Sequence, residues 1–260
     1  MKISKSNVSL LRSLTQKKIR EREKKFVIEG WKPLKDALNS DFQFEFIAMK
    51  REYAEDPDYS SFVREIEMRG IELKDISDAE LKQVTDTVHA QGVVALLQQK
   101  TRDIDDVLTT ESSQIVFLDR IADPGNMGTI VRTCDWFGVD CLILSEGCVD
   151  LYNEKVVRST SGSVFHVPVV ERKETNAILL QLKNQGFQIV AAAGDAKLSY
   201  VDAKYGHKKV IVFGNEAGGI HADARRAADV VVSIPRSGKA ESLNVAIACG
   251  IILSHLRIRG

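Results

Sequence analysis

Apolar and polar positions change period several times along the first hundred residues. Val8, Leu10, Leu11, Leu14 and Ile19 lay an incomplete apolar stripe among basic residues, so Lys5 to Lys25 reads as one helix with a wet basic side. Phe26-Val27-Ile28 reads as a short strand ended by Glu29-Gly30. Pro33 then stands early in a helix running to Asn39, and Phe42 to Met49 alternates as a second strand. Asp58 to Arg69 is helical and stops at Gly70, and Ile71 to Ile76 is a strand. Ser77, with Glu80 three residues on, forms the capping box of a further helix, and Gly92 to Leu97 closes the series as a strand. The pattern predicts a compact α/β domain over residues 1–100. Residues 101–113 are polar with one short helical patch, which reads as a linker.

Residues 114–260 are more regular. Apolar runs at Ile115 to Leu118, Cys141 to Leu144, Val164 to Val170, Gln188 to Ala193, Val210 to Phe213 and Val230 to Ile234 alternate with helical stretches. That alternation predicts a parallel sheet with helices on both faces, so the whole chain is assigned to the α/β class. Such sheets bind ligands in the loops at the carboxyl ends of their strands. The segments after Leu118, Phe213 and Ile234 are therefore where chemistry is sought.

Composition narrows the classes. The chain has 260 residues, 44% hydrophobic and 28% charged, which excludes fibrous and wholly disordered readings. No apolar run approaches the roughly 20 residues of a membrane span, and the Lys-rich start lacks the apolar core of a secretory signal, so a cytoplasmic location is expected. Cys134, Cys141, Cys148 and Cys249 show neither CxxC spacing nor a His at ligand spacing, so no metal is expected and the thiols read as buried. The formal net charge is zero, but it is segregated: residues 1–35 carry net +8, residues 36–115 net −10, and residues 116–260 net +2. The basic N-terminal arm suits a polyanion and the acidic segment behind it would repel one. Lys17, Lys18, Arg20 and Arg22 are the candidate phosphate contacts, with a solvated helix surface as the alternative.

The three loop segments read DRIADPGNMGTIVRTCDWFG, GNEAGGI and PRSGKAESLNVAIACG. In the first, Arg132 lies six residues beyond Asn126 on a helix entered through Pro124, Gly125 and Asn126; pairing with a surface carboxylate is the ordinary alternative to a catalytic role. In the second, Gly214 and Gly219 bracket Asn215, Glu216, Ala217 and Gly218, which serves a tight turn or a close backbone approach to a ligand. Glu216 favours the ligand, because a carboxylate there is costly for packing but suited to hold an Arg or a ribose. In the third, Ser242 and Asn244 stand at a helix start where either caps naturally. Arg236 and Lys239 share that loop, available to phosphate or to solvent. Neither GxGxxG after a strand nor GxxxxGK[ST] occurs, so dinucleotide and P-loop chemistry lose support.

These three segments, in this order and spacing, resemble the three motifs of the SpoU family of RNA ribose 2'-O-methyltransferases, in the SPOUT superfamily. Asn126, Gly128 and Arg132 match the core of the first motif and Phe137-Gly138 its end. Gly214, Asn215, Glu216 and Gly219 match the second; Ile234-Pro235, Gly238, Glu241, Ser242, Leu243, Asn244, Val245 and Ala246 match the third. FVIEGWKPLKDAL and HAQGVVALL resemble the family's accessory substrate-binding domain, a ribosomal-protein-like fold, and Lys155 to Gly162 resembles a segment between the first two motifs.

The resemblance implies a fold with a C-terminal trefoil knot, a homodimer, and S-adenosylmethionine as cofactor. It makes Arg132 the central catalytic residue, with Asn126, Glu216, Ser242 and Asn244 around the reacting ribose. A guanidinium is too weak a base at neutral pH, so stabilisation of a developing alkoxide is the chemistry favoured for Arg132. Gly214, Gly219, Ile234, Leu243 and Asn244 are implied cofactor contacts; Arg158 and Ser161 are implied RNA contacts, and Arg236 joins them as a candidate from its place in the third loop. The N-terminal domain favours ribosomal over transfer RNA. A noncatalytic RNA-binding or assembly protein on the same fold is the rival reading, and it predicts loss of the Arg132, Glu216 or Asn244 positions, all of which are present.

Overall fold

Two self-contained sets of packed elements emerge from the chain in the computed structural model, which describes all residues but 86–90, 110, 112, 216, 217 and 260, and the side chains of Arg172 and Arg259. One unit comprises Met1–Lys100 with Tyr152–Phe165; the other comprises Thr101–Leu151 with His166–Gly260.

In the first unit the elements are α1 (Lys5–Ser13), α2 (Lys17–Glu23), β1 (Lys25–Glu29), α3 (Trp31–Leu38), β2 (Phe44–Met49), α4 (Arg51–Ala54), α5 (Ser60–Met68), β3 (Leu73–Asp75), α6 (Asp78–Val84) and β4 (Val93–Gln98). The sheet runs β1-β4-β2-β3, antiparallel except for the β2–β3 pair. Apolar residues of α1 and α6 cover one face, where Leu11, Leu14, Leu81 and Val84 meet Phe46, Val94 and Leu96. The capping box at Ser77 and Glu80 is formed as the spacing predicts.

The single helix expected over Lys5 to Lys25 is broken. Ser13 Oγ and Thr15 Oγ1 donate to the carbonyls of Leu10 and Arg12, which satisfies the end of α1 and stops it. Arg20, 2% exposed, then donates from α2 to the carbonyls of Leu14 and Thr15 at 2.7 and 2.8 Å. Its guanidinium holds the corner between the helices.

The second unit contains α7 (Ile104–Val107), β5 (Gln114–Asp119), α8 (Pro124–Trp136), β6 (Cys141–Ser145), β7 (Val169–Lys173), α10 (Thr175–Asn184), β8 (Gln188–Ala192), β9 (Leu198–Ser199), β10 (Lys209–Gly214), α11 (Ala222–Ala227), β11 (Val230–Ser233) and α12 (Val245–Arg259). Its seven strands are all parallel, in the order β7-β6-β5-β10-β8-β11-β9. The near-continuous apolar runs follow from burial on both faces. Ile115, Phe117, Val210 and Val212 pack with Ile178, Leu179 and Leu182 of α10 on one side; α12 packs on β10 and α8. Ile104, in the stretch expected to be a linker, is 3% exposed and belongs to this core.

The apolar run Val164 to Val170 is not one strand. Its first part is a 3-10 turn, Ser163–Phe165, and the strand starts at Val169, after Pro168. Phe165 instead joins the first unit, its ring 5.1 Å from Phe42 and 6.4 Å from Phe26. The helix before it, α9 (Glu154–Thr160), packs on β1.

Candidate functional site

The carboxyl ends of β5, β10 and β11 carry the three loops singled out by the sequence, and each loop is shaped by its own polar contacts. At the first, Asp123 caps α8 by accepting from the amide of Asn126 at 2.7 Å, and Pro124 occupies the first helical turn, where its missing N–H costs nothing. Met127, Gly128, Ile130, Val131 and Cys134 form the buried side of α8. Gly125, Thr129, Arg132 and Trp136 lie on the exposed side. Arg132 is exposed, and among the described residues no carboxylate pairs with it.

The second loop folds back on itself. Gly219 donates its amide to the carbonyl of Asn215 at 2.8 Å, and Asn215 Nδ2 reaches the carbonyl of Arg120 at 2.7 Å. Gly214 has no room for a side chain, since a Cβ there would stand 2.3 Å from the backbone of Gly219. Gly219 has φ +63°, the left-handed region that favours glycine. Both glycines are thus set by the fold of the loop itself. Glu216, assigned to the ribose or the catalytic Arg, lies outside the described residues.

At the third loop, Asn244 is the cap of α12. Its Oδ1 accepts from the amides of Ala246 and Ile247 at 2.9 and 3.3 Å, and its Nδ2 donates to Asn126 Oδ1 at 2.9 Å. The first and third loops are therefore joined side chain to side chain. Ser242 is exposed; Ile234 is half-buried and Leu243 exposed. Arg236 donates to the carbonyl of Ala240 at 3.0 Å and remains exposed. Where α8 packs on α12, burial pushes the Cys134 thiol well up, and Cys249 beside it is buried as well. Those cysteines are inert filling, not nucleophiles.

Two residues the sequence reading passed over belong here. Asp119 is 1% exposed, and its Oδ2 accepts from the amide of His221 at 2.6 Å. With the Asn215–Arg120 bond, it ties both ends of the Gly-rich loop to the end of β5. The signal in the sequence is an Asp-Arg pair that closes an apolar strand.

The candidate RNA contacts divide by environment. Lys18 is exposed, Lys17 is 3.9 Å from Glu21, and Arg22 pairs with Glu23 at 2.8 Å. Arg20 is a correction: buried and engaged by two carbonyls, it is not available to phosphate. Arg158 is half-exposed, 3.5 Å from Glu154, and Ser161 Oγ accepts from Lys32 at 3.2 Å.

Among the described residues no group of His, Cys, Asp or Glu could hold a metal ion, and no helix is long and apolar enough to cross a membrane.

Comparison with known proteins points the same way. Residues 113–254 match the SpoU rRNA Methylase family, and residues 5–95 match the MRM3-like substrate binding domain. A Bacillus subtilis protein named 23S rRNA (guanosine(2553)-2'-O)-methyltransferase RlmP is 31% identical over 246 residues, 95% of this chain and 94% of its own. The RlmB 23S rRNA (guanosine-2'-O-)-methyltransferase of Vibrio vulnificus is 30% identical over 74% of this chain and 79% of its own. Among solved structures, an AdoMet-bound rRNA methyltransferase from Sinorhizobium meliloti superimposes with a TM-score of 0.88 at 31% identity, covering 100% of this chain and 98% of that one.

Proposed function

The chain belongs to the SpoU rRNA methylase family, and from that premise we propose that it transfers a methyl group from S-adenosylmethionine to a ribose 2'-hydroxyl in ribosomal RNA. The observation that carries the reading is the Asn126–Asn244 hydrogen bond, which fixes the first and third loops together beside an exposed Arg132 that pairs with no carboxylate among the described residues.

A ribose hydroxyl is almost wholly protonated at neutral pH and attacks poorly. S-adenosylmethionine supplies a methyl group already activated as a sulfonium, so alignment and charge are what fall to the protein. Arg132 presents a guanidinium from the open side of α8, where it stabilises negative charge on the 2'-oxygen as the hydroxyl proton leaves to water, the oxygen takes the methyl group and the sulfonium departs as a thioether. Asn126 and Asn244 hold the first and third loops together, with Ser242 in the third as a ribose contact; Glu216 of the second loop is the carboxylate this reading assigns to the ribose or to Arg132. Gly214, Gly219, Ile234 and Leu243 form the cofactor wall, through backbone amides and apolar side chains.

The N-terminal unit is the RNA-gripping part of this reading, with Lys17, Lys18 and Arg22 on α2 and Arg158 on α9 meeting phosphates, together with Arg236 of the third loop. A homodimer and a C-terminal trefoil knot belong to it as well. The exposed Trp136, Leu243, Ile247 and Ile258 on α8, α12 and the loop between β11 and α12 support the first. The return of α12, after β11, to pack on α8 and β10 supports the second. A cytoplasmic location belongs to the same reading.

Transfer of labelled methyl groups to purified ribosomal and transfer RNA pools tests the assignment. Label in ribosomal RNA, at one site resistant to alkaline cleavage and lost in Arg132→Ala, is the expected result. Label only in transfer RNA, or cofactor binding without transfer to either pool, would sink it.

A further inference from the structure

Arg120, the first residue after β5, sits in a conformation its side chain disfavours. Its φ is +57°, in the left-handed region where glycine, asparagine and aspartate are at home and a long side chain is strained. A turn alone would be met by one of those residues. The surrounding structure nevertheless over-determines Arg120: its amide donates to Ser145 Oγ at 2.9 Å, and its carbonyl accepts from Asn215 Nδ2 at 2.7 Å.

The side chain is steered too. Gly147, with φ +88°, leaves empty the space through which the Arg120 stem runs; a Cβ there would stand 3.1 Å from Arg120 Cγ. Nε lies 3.3 Å from the buried Oδ1 of Asp119, and 41% of the side chain stays exposed. Among the described residues no partner takes its terminal nitrogens. Strain held in place by this many contacts, ending in a half-open guanidinium at the carboxyl edge of a parallel sheet, marks a functional side chain.

Direction identifies the ligand. In the strand order, β5 stands between β6 and β10. The cofactor loops follow β10 and β11, whereas the Arg120 stem lies against Gly147 in the loop after β6. The guanidinium is thus on the side of β5 away from those loops. Its planar fork fits a phosphodiester in two-point fashion. We propose that Arg120 is a substrate-binding residue that grips an RNA phosphate beside the methylated ribose, with Asp119 as its positioning residue. The inference rests on the proposed RNA methyl transfer and adds a second guanidinium to it.

The conformation makes a clean test available, because Arg120→Gly removes the guanidinium while relieving the backbone. Three quantities are measured on the full chain: the melting temperature, the S-adenosylmethionine Kd by calorimetry, and steady-state methyl transfer to large-subunit ribosomal RNA transcribed in vitro. The variant is expected to melt at or above the parent and to bind cofactor unchanged. Its KM for RNA should rise roughly tenfold, and the salt slope of RNA binding should fall by about one. Unchanged KM in a folded variant overturns the proposal, as does weakened cofactor binding with RNA binding intact, which would give the guanidinium to the cofactor carboxylate. Should Arg120→Gly not fold, Arg120→Gln keeps the stem without the charge and must show the same rise in KM. A parent protein that transfers no methyl group to this RNA would instead defeat the functional reading beneath.

Discussion

Asn244 does two things with one amide: its Oδ1 caps α12, and its Nδ2 reaches 2.9 Å across to Asn126 Oδ1 in the first turn of α8. Substitution separates the roles. Asn244→Ser keeps a good cap but is too short to span to Asn126, whereas Asn244→Ala loses both. Serine should therefore leave stability nearly unchanged and alanine cost about 1 kcal/mol. Methyl transfer should fall in both by roughly tenfold or more, since the loops lose their register. Thermal melts alongside transfer rates check this; activity that tracks stability instead would make Asn244 only a cap.

Gly214 is required for space. A Cβ there would stand 2.3 Å from the carbonyl carbon and oxygen of Gly219, atoms of the backbone that have no rotamer to yield. Gly214→Ala should shift the Gly-rich loop at a cost of about 1–3 kcal/mol, and weaken S-adenosylmethionine binding measured by calorimetry. Gly194→Ala, with no atom within 4 Å of its Cβ and no positive φ, is the control and should change neither.

The basic arm contains two arginines that read alike in sequence and differ in structure. Arg20→Ala would strip the carbonyls of Leu14 and Thr15 of a buried donor, and should cost about 2–4 kcal/mol in urea unfolding. Arg22→Ala breaks only an exposed pair with Glu23, and should stay within about 0.5 kcal/mol. Equal losses would refute the division.

That contrast shows what the sequence could and could not disclose. The β/α alternation of the second unit was legible because strands buried on both faces must be apolar throughout. The capping box at Ser77 and Glu80 was legible because it is a local bargain between two residues. The Arg20 corner was not: a charge among charges looks solvated until a turn brings two carbonyls to it. Nor was the division of Val164 to Val170, where Phe165 answers to Phe42 and Phe26 far back in the chain. In the site, glycines and asparagines announced themselves by type. Asp119 and Arg120 did not, since their roles depend on His221, Asn215 and Gly147, which only folding brings near.

The thiols give a pH prediction. Burial pushes Cys141 up to about 12 from an ordinary value near 9.0 and raises half-buried Cys148 as well. In the unfolded chain these thiols ionise first, so stability present below about pH 9 should decline as pH climbs from there toward 12. Urea midpoints across that range should fall. At pH 8 an aromatic disulfide reagent should find no fast thiol in the native protein and all four in denaturant. A fast-reacting native cysteine would contradict the packing.

Trp136 is 85% exposed on α8, the helix that carries Arg132, and Leu243 and Ile247 are exposed near the start of α12. A tryptophan buries about 200 Å² when covered, worth about 5 kcal/mol at the usual rate per unit area. Left bare it is a poor choice for a solvent-facing helix; covered by a second copy it supplies the central contact of an interface. Sedimentation at micromolar concentration should therefore give twice the 28.9 kDa chain mass. Trp136→Arg should shift the protein to monomer while its circular dichroism stays the same, because the side chain contributes nothing to the core of its own chain. A parent protein that sediments as a monomer would remove the dimer from the proposed function and leave Trp136 to contact another macromolecule.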